Sequence, residues 1–380
     1  MNYVPIIYIS SGILVFIASC ILLWKSLRTK TDGPIYRKKY HLLRHAHNPI
    51  ASPQSHREWE YEGTFNPGAV MDDEGRVHLF YRALGRDGIS RVGHMLVPDG
   101  KTVTERSSYP VYEPRKGAGM PDEIRKDLPI EKEVFDNPSG GGWGGAEDPR
   151  MVRIGNRVFM SYTAFEDWSN MRIAITSISM NDLKKKRWNW KQPLLISPKN
   201  SRAKNWVLFP EKIRGKYAIL HGLSPRIMVA YLDSPDMIPS IESLRDHGGW
   251  GYQDKKRKGY WDECVRGAGA PPMKTDLGWL LLYHAIDKRD PARVVGYKVG
   301  AMILDLEDPT RVIYRSPEPI LSPDMHYEND GKPGVVYASG AVLKDGTLFV
   351  YYGGGDKHTC VAETPLAPLL EWLQNYGRVE

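Results

Sequence analysis

The chain has 380 residues, 41% apolar and 26% charged, enough to fill one large or two small globular cores, which excludes disorder as its governing state. Three scattered cysteines, Cys20, Cys264 and Cys360, exclude a disulfide framework or a thiolate metal site and suit a reducing compartment. The net charge of +7 comes from basic residues interleaved with acids, so no nucleic-acid surface is expected; the one basic block, Lys255-Lys256-Arg257-Lys258, reads as a solvated loop.

In chain order, Val4 to Trp24 carries no charge and is rich in Ile, Leu, Val and Phe, long enough as a helix to cross a hydrocarbon core. Lys25, Arg28, Lys30, Arg37, Lys38 and Lys39 come after it and nothing basic precedes it but the amine, so the positive-inside rule places the C-terminal domain in the cytoplasm. The alternative is an exported lipoprotein processed at Ile17-Ala18-Ser19-Cys20, although a basic n-region is missing. The expected organisation is a transmembrane anchor over 1–25, a basic linker over 26–44 and a globular domain over 45–380.

Within that domain one pattern occurs five times: a turn glycine, then an apolar strand ending in an aromatic residue or histidine and a small residue. The copies start at Gly75, Gly155, Gly215, Gly278 and Gly346 and end at Ala83, Ala164, Gly222, Ala285 and Gly354. About 60 to 80 residues separate successive copies, room for a four-stranded antiparallel sheet with its loops. The expected fold is therefore all-β, a five-bladed β-propeller preceded by one transmembrane helix; a β-sandwich with five similar hairpins is the alternative. Two insertions, Pro110 to Gly145 and Ser234 to Tyr260, break the rhythm, and the glycine-rich end of the first could form a lid. Pro365 to Tyr376 carries apolar residues at helical spacing, which predicts a terminal helix.

The chemistry concentrates in Gly145-Ala146-Glu147-Asp148-Pro149-Arg150, two carboxylates and an arginine around a stiffening proline. On its own this is equally a capped turn. With it, in order, come Phe65-Asn66-Pro67-Gly68, Tyr81-Arg82-Ala83, Leu208-Phe209-Pro210-Glu211-Lys212-Ile213, Gly267-Ala268-Gly269-Ala270-Pro271-Pro272 and Tyr351-Tyr352-Gly353-Gly354-Gly355-Asp356. From about Asn48 to Leu370 this ordered set resembles glycoside hydrolase family 130, the β-mannoside phosphorylases and related mannosidases.

The resemblance implies a five-bladed propeller and an inverting reaction. An ordinary inverting glycosidase needs an acid and a distant base that activates water, whereas a phosphorylase needs only the acid because phosphate is itself the nucleophile. The position matching the family's acid is Asp148, which is expected to be kept protonated by burial or by Glu147 beside it. Positions matching sugar contacts are Asn66, Arg82, Tyr283, Glu328 and Asp356; Glu147, Arg150 and His221 join them as candidate substrate contacts. Lys212, His284 and Arg226 are the candidate phosphate donors.

The chain departs from the family's pattern where it has Lys204-Asn205-Trp206 before the Phe-Pro-Glu-Lys motif and His221-Gly222-Leu223-Ser224-Pro225-Arg226 after it. One expected basic group is missing, and Arg226 or Lys204 could take its place. The leading reading is a phosphorylase that releases α-mannose 1-phosphate from short β-mannosides; a hydrolase of the same fold and a non-catalytic glycan-binding propeller are the alternatives. Phosphate dependence separates the first two. No Walker or dinucleotide glycine pattern occurs and His41, His45 and His47 lack completing ligands, so no metal and no cofactor beyond inorganic phosphate as co-substrate is expected. The expected partners are a β-mannoside, phosphate and the membrane, with homo-oligomerisation left open.

Overall fold

In a computed structural model, residues 39–113, 142, 144–167, 170–198, 202–224, 226–234, 257–289 and 296–379 are described, all within a compact unit that begins at Lys39. Among the described residues twenty strands form five antiparallel modules in chain order. The first comprises β2 (Gly63–Met71), β3 (Val77–Leu84), β4 (Ile89–Val97) and β5 (Glu105–Arg106); β1 (Leu43–Arg44) precedes it. The second holds β6 (Gly144–Ile154), β7 (Arg157–Asp167), β8 (Asn170–Ser179) and β9 (Leu194–Leu195), with a one-turn helix α1 (Met180–Lys184) after β8. A two-residue parallel pairing of Ile89 and Ser90 with Gly144 and Gly145 fuses these two modules into one sheet.

The third module is β10 (Val207–Leu208), β11 (Tyr217–Gly222) and β12 (Met228–Leu232). In the fourth, β13 (Cys264–Ala268) and β14 (Met273–Thr275) both pair with β15 (Gly278–Ile286), followed by β16 (Tyr297–Leu304) and β17 (Val312–Arg315). The fifth is β18 (Val336–Lys344), β19 (Thr347–Gly354) and β20 (His358–Pro365), and β1 pairs with β20, so the N-terminal strand completes the C-terminal module. The helix α2 (Leu366–Tyr376) lies where its periodicity predicts and buries Leu369, Trp372 and Leu373.

Strands β3, β15 and β19 are almost wholly buried, the expected state of strands covered on both faces by neighbouring modules. Their sequences are accordingly mostly apolar, with the buried His78 and Arg82 on β3 and His284 on β15 as the interior polar positions. The repeat glycines at 75, 155, 215 and 346 all take positive φ in tight strand connections, a conformation that costs glycine nothing.

Among the described residues no helix is long and apolar enough to cross a membrane. The transmembrane helix expected over Val4 to Trp24 lies outside the described residues, and the architecture is corrected to an all-β unit ending in a short helix. The membrane-anchored, cytoplasm-facing placement built on that helix is not carried forward. Most of both insertions also lies outside the described residues.

Candidate active site

One structural event recurs on the first strand of four modules. Pairing slips out of register between Phe65 and Gly68, between Glu147 and Arg150, between Val265 and Gly267, and between Ala338 and Gly340. Each slip is a bulge, which leaves residues unpaired and re-aims their side chains. In the first two modules the bulged pair is Asn66-Pro67 and Asp148-Pro149, the same residue pattern at equivalent places. Proline suits a bulge because it has no N–H to leave unpaired. Asn66 and Asp148 both take φ near +50°, and Asn205, just before β10, takes +64°. Asn and Asp tolerate this region better than other side-chain-bearing residues.

The bulges bring the side chains together. Asn66 Nδ2 donates to Asp148 Oδ1 at 2.8 Å. Arg82, wholly buried on β3, donates to Glu147 Oε1 at 2.9 Å and reaches Asp148 Oδ1 at 3.4 Å, while its Nε donates to Ser90 Oγ. Lys204 Nζ donates to the other Glu147 oxygen, Oε2, at 3.0 Å. Gly145 opens this corner: a Cβ there would run into the Ser90 backbone. The Asp148 carboxyl is 6% exposed, and its Oδ2 has no partner among the described residues.

Arg150 locks the motif from behind. Its Nε donates to the Gly269 carbonyl at 2.8 Å, Nη1 to the Asp148 carbonyl at 3.0 Å, and Nη2 to Asn205 Oδ1 at 3.0 Å and the Tyr337 hydroxyl at 3.1 Å. One guanidinium thus ties the bulge to the third, fourth and fifth modules. Tyr337 also donates to Asn205 Oδ1 and stacks on the His284 ring at 3.9 Å between centroids.

Burial alone would raise the Asp148 pKa, but it is outweighed by the charges of Arg82, then Lys204 and Arg150, and by the Asn66 hydrogen bond. The carboxyl is held below the usual carboxylate range, so the expectation of a resident proton is corrected: the free site holds Asp148 as an anion. The His284 pKa is also lowered, to about 3, through burial first and then the Arg150 charge, with Asp148 and the Ala338 backbone opposing. It is a neutral ring. Among the described residues three cations, Arg82, Arg150 and Lys204, face the carboxylates of Glu147 and Asp148.

The remaining expected site residues divide. Asp356 stands at φ +50° in the turn after β19, 3.5 Å from Lys332. The Tyr297 hydroxyl, its pKa raised by burial, feels Arg266, Asp356 and Lys204, so these groups share one electrostatic neighbourhood. His221 is buried beside Trp206, 5.3 Å between ring centroids. Tyr283 is turned away: it donates to Asp262 at 2.6 Å inside the core of the fourth module. Neighbours on a strand point to opposite faces, so with His284 against Tyr337 the preceding residue cannot also face the site.

Glu328 is likewise elsewhere. Its carboxylate accepts from Arg44, from the Tyr352 hydroxyl and from the Met325 N–H, a clamp between β1 and the fifth module. Lys212 is exposed with its ammonium over the Tyr217 ring, and Arg226 is exposed; neither is brought to the cluster. Lys204, expected only as a substitute, takes the basic place beside Glu147. Asn205 and Tyr337 escape sequence reasoning, although an Asn directly ahead of an apolar strand is a usable sign of a left-handed entry residue.

A family model described as β-1,4-mannooligosaccharide phosphorylase, glycoside hydrolase family 130, matches residues 41–375. A 1,2-β-oligomannan phosphorylase of Thermoanaerobacter is 34% identical over 83% of this chain and 94% of its own length. A β-1,2-mannobiose phosphorylase of the same organism is 33% identical over 85% of this chain and 97% of its own. Among solved structures, the β-1,2-mannobiose phosphorylase of Listeria innocua superposes with a TM-score of 0.63 at 23% identity, covering 88% of this chain and 99% of that one, which supports the fold. The chain belongs to glycoside hydrolase family 130 and is an enzyme of that β-mannoside-active family.

Proposed function

We propose that this enzyme cleaves β-linked manno-oligosaccharides by phosphorolysis, releasing α-mannose 1-phosphate with inversion, and that Asp148 supplies the proton to the departing sugar oxygen. The observation that carries the reading is the three positive charges, Arg82, Lys204 and Arg150, that act on a buried carboxyl whose Oδ2 has no partner among the described residues. A phosphate anion entering beside Lys204 cancels part of that field, and the Asp148 pKa rises toward the range where it can hold a proton. In this scheme the acid is loaded as the co-substrate binds. Phosphate then attacks the anomeric carbon, the glycosidic bond breaks, and the leaving oxygen takes the proton.

Asn66, Arg82, Glu147 and Asp356 are the groups proposed to meet sugar hydroxyls, since carboxylates and amides satisfy vicinal hydroxyls in pairs. Arg150 is proposed as a positioning residue, its donors already spent on protein acceptors. The reaction as proposed needs no cofactor beyond phosphate. The test is product analysis with β-1,2- and β-1,4-mannobiose with and without phosphate. Sugar 1-phosphate formed only in its presence supports phosphorolysis; equal release of free mannose without phosphate overturns it in favour of a hydrolase.

A further inference from the structure

A cavity of about 380 Å³ opens where the first two modules meet, lined by His94, Glu105, Ser107, Tyr109, Lys186 and Trp188 among others. Its wall residue His94 pairs with Phe80, two residues before Arg82 on β3, about 7 Å along the strand. The volume is in the range of small-ligand sites.

A buried relay fixes what this cavity offers. Asp72 accepts from Arg76 at 2.7 Å and lies 3.1 Å from His78 Nε2, and His78 Nδ1 lies 2.9 Å from His94 Nε2. Arg76 and the backbone hold Asp72 as a carboxylate, with a pKa of about 2. An acceptor at that end requires the proton of His78 on Nε2, which leaves Nδ1 as an acceptor. His94 must then donate through Nε2, and its own Nδ1 is left a bare acceptor on a ring that lines the cavity. Nothing among the described residues satisfies that nitrogen.

The other walls complement it. The Trp188 ring packs against His94 at 4.9 Å and is half-exposed, and Tyr109 stands 79% exposed at the rim. Glu105 and Lys186 form an ion pair across the modules at the edge of the cavity. An aromatic face, a fixed acceptor for a hydroxyl and a charged pair around the rim suit an uncharged pyranose, whose C–H face stacks while its hydroxyls bond outward.

We infer that this cavity is a second saccharide-binding site, separate from the reaction centre, which holds a pyranose unit of a longer chain on Trp188 with a hydroxyl donated to His94. That the pyranose is a mannosyl unit rests on the proposed function; the recognition chemistry does not. The test is calorimetric titration with β-1,2-linked mannotetraose at millimolar concentration. The intact chain is expected to bind two saccharides. Trp188→Ala and, because Tyr109 is a surface residue whose loss leaves the core intact, Tyr109→Ala are each expected to weaken one site about tenfold or more. Phosphorolysis of mannobiose should stay within about twofold in both variants. One saccharide bound per intact chain, or two bound at unchanged affinity in both variants, overturns the inference. Two sites bound by an enzyme that performs no phosphorolysis would defeat the proposed function and leave this inference standing.

Discussion

Two buried carboxylate clusters in this enzyme are built from the same parts and differ in what is left over. Around Glu328, Arg44 and the Tyr352 hydroxyl meet a carboxylate whose remaining capacity goes to the Met325 N–H; nothing is spare. Around Asp148, Arg82 and Asn66 crowd one oxygen while the other stays open, and the backbone sits in a sparsely populated left-handed conformation. A buried carboxylate beside an arginine is therefore no sign of chemistry by itself. Unspent hydrogen-bonding capacity, a bulge that aims the group and several neighbouring cations are what distinguish the cluster proposed to react from the clamp.

The sharpest way to break that comparison is Asp148→Asn. General acid removal is expected to lower phosphorolysis by about 10² to 10⁴-fold, measured as sugar 1-phosphate release. Its depressed folded pKa also means that the anion stabilises the fold above the unfolded value of about 3.9, an effect lost as pH falls through the folded pKa. The variant should thus melt lower than wild type at neutral pH. Full turnover with the substitution in place would remove Asp148 from the mechanism.

Glu328→Ala is the mirror experiment. Leaving Arg44 without its partner should cost about 3–5 kcal/mol by chemical denaturation, with turnover per folded molecule unchanged. A variant of wild-type stability that had lost mannoside binding would move Glu328 into the site.

Lys204→Met tests the positive charge beside Glu147. Loss of a charge-assisted donor is expected to raise the KM for phosphate by roughly 10- to 100-fold. Because Asp148 must be protonated to donate, and its pKa without phosphate is low, kcat/KM for phosphate should fall from a lower pH than kcat, which reports the phosphate-bound state. Removing Lys204 removes one of the depressing charges, so that gap should narrow. Coincident limbs in the wild-type enzyme would show that phosphate does not load the acid.

The smallest effects are expected at Lys212→Ala and Arg226→Ala. Both residues are exposed, so stability should change by no more than about 0.5 kcal/mol and the KM for phosphate should stay within about twofold. A tenfold rise in either would show that the exposed cations swing into the site on binding.

Much of this was legible in the residues. Five glycine-led apolar strands imply five sheet modules because a strand covered on both faces has no place for polar alternation. The Asn-Pro and Asp-Pro pairs mark the bulges, since both members are residue types that such geometry selects. Tyr283 and Glu328 were misplaced for complementary reasons. Tyr283 shares a strand with His284, and only a register set by packing decides which of two neighbours turns inward. Glu328 belongs to a contact with Arg44, 284 positions away along the chain.

The sequence by itself determined the all-β repeat and the position of the bulged motif, because these are local: period, turn residue and propensity act over a few positions; the choice of Asp148 as the acid came from the family resemblance. Only the tertiary structure decided that Lys204 rather than Lys212 supplies the charge beside Glu147, that Arg150 is consumed in joining four modules, and that the charges around Asp148 draw its carboxyl below the usual range. Those outcomes are sums of Coulomb and desolvation terms over groups from separate modules, and such sums exist only once folding has set the distances.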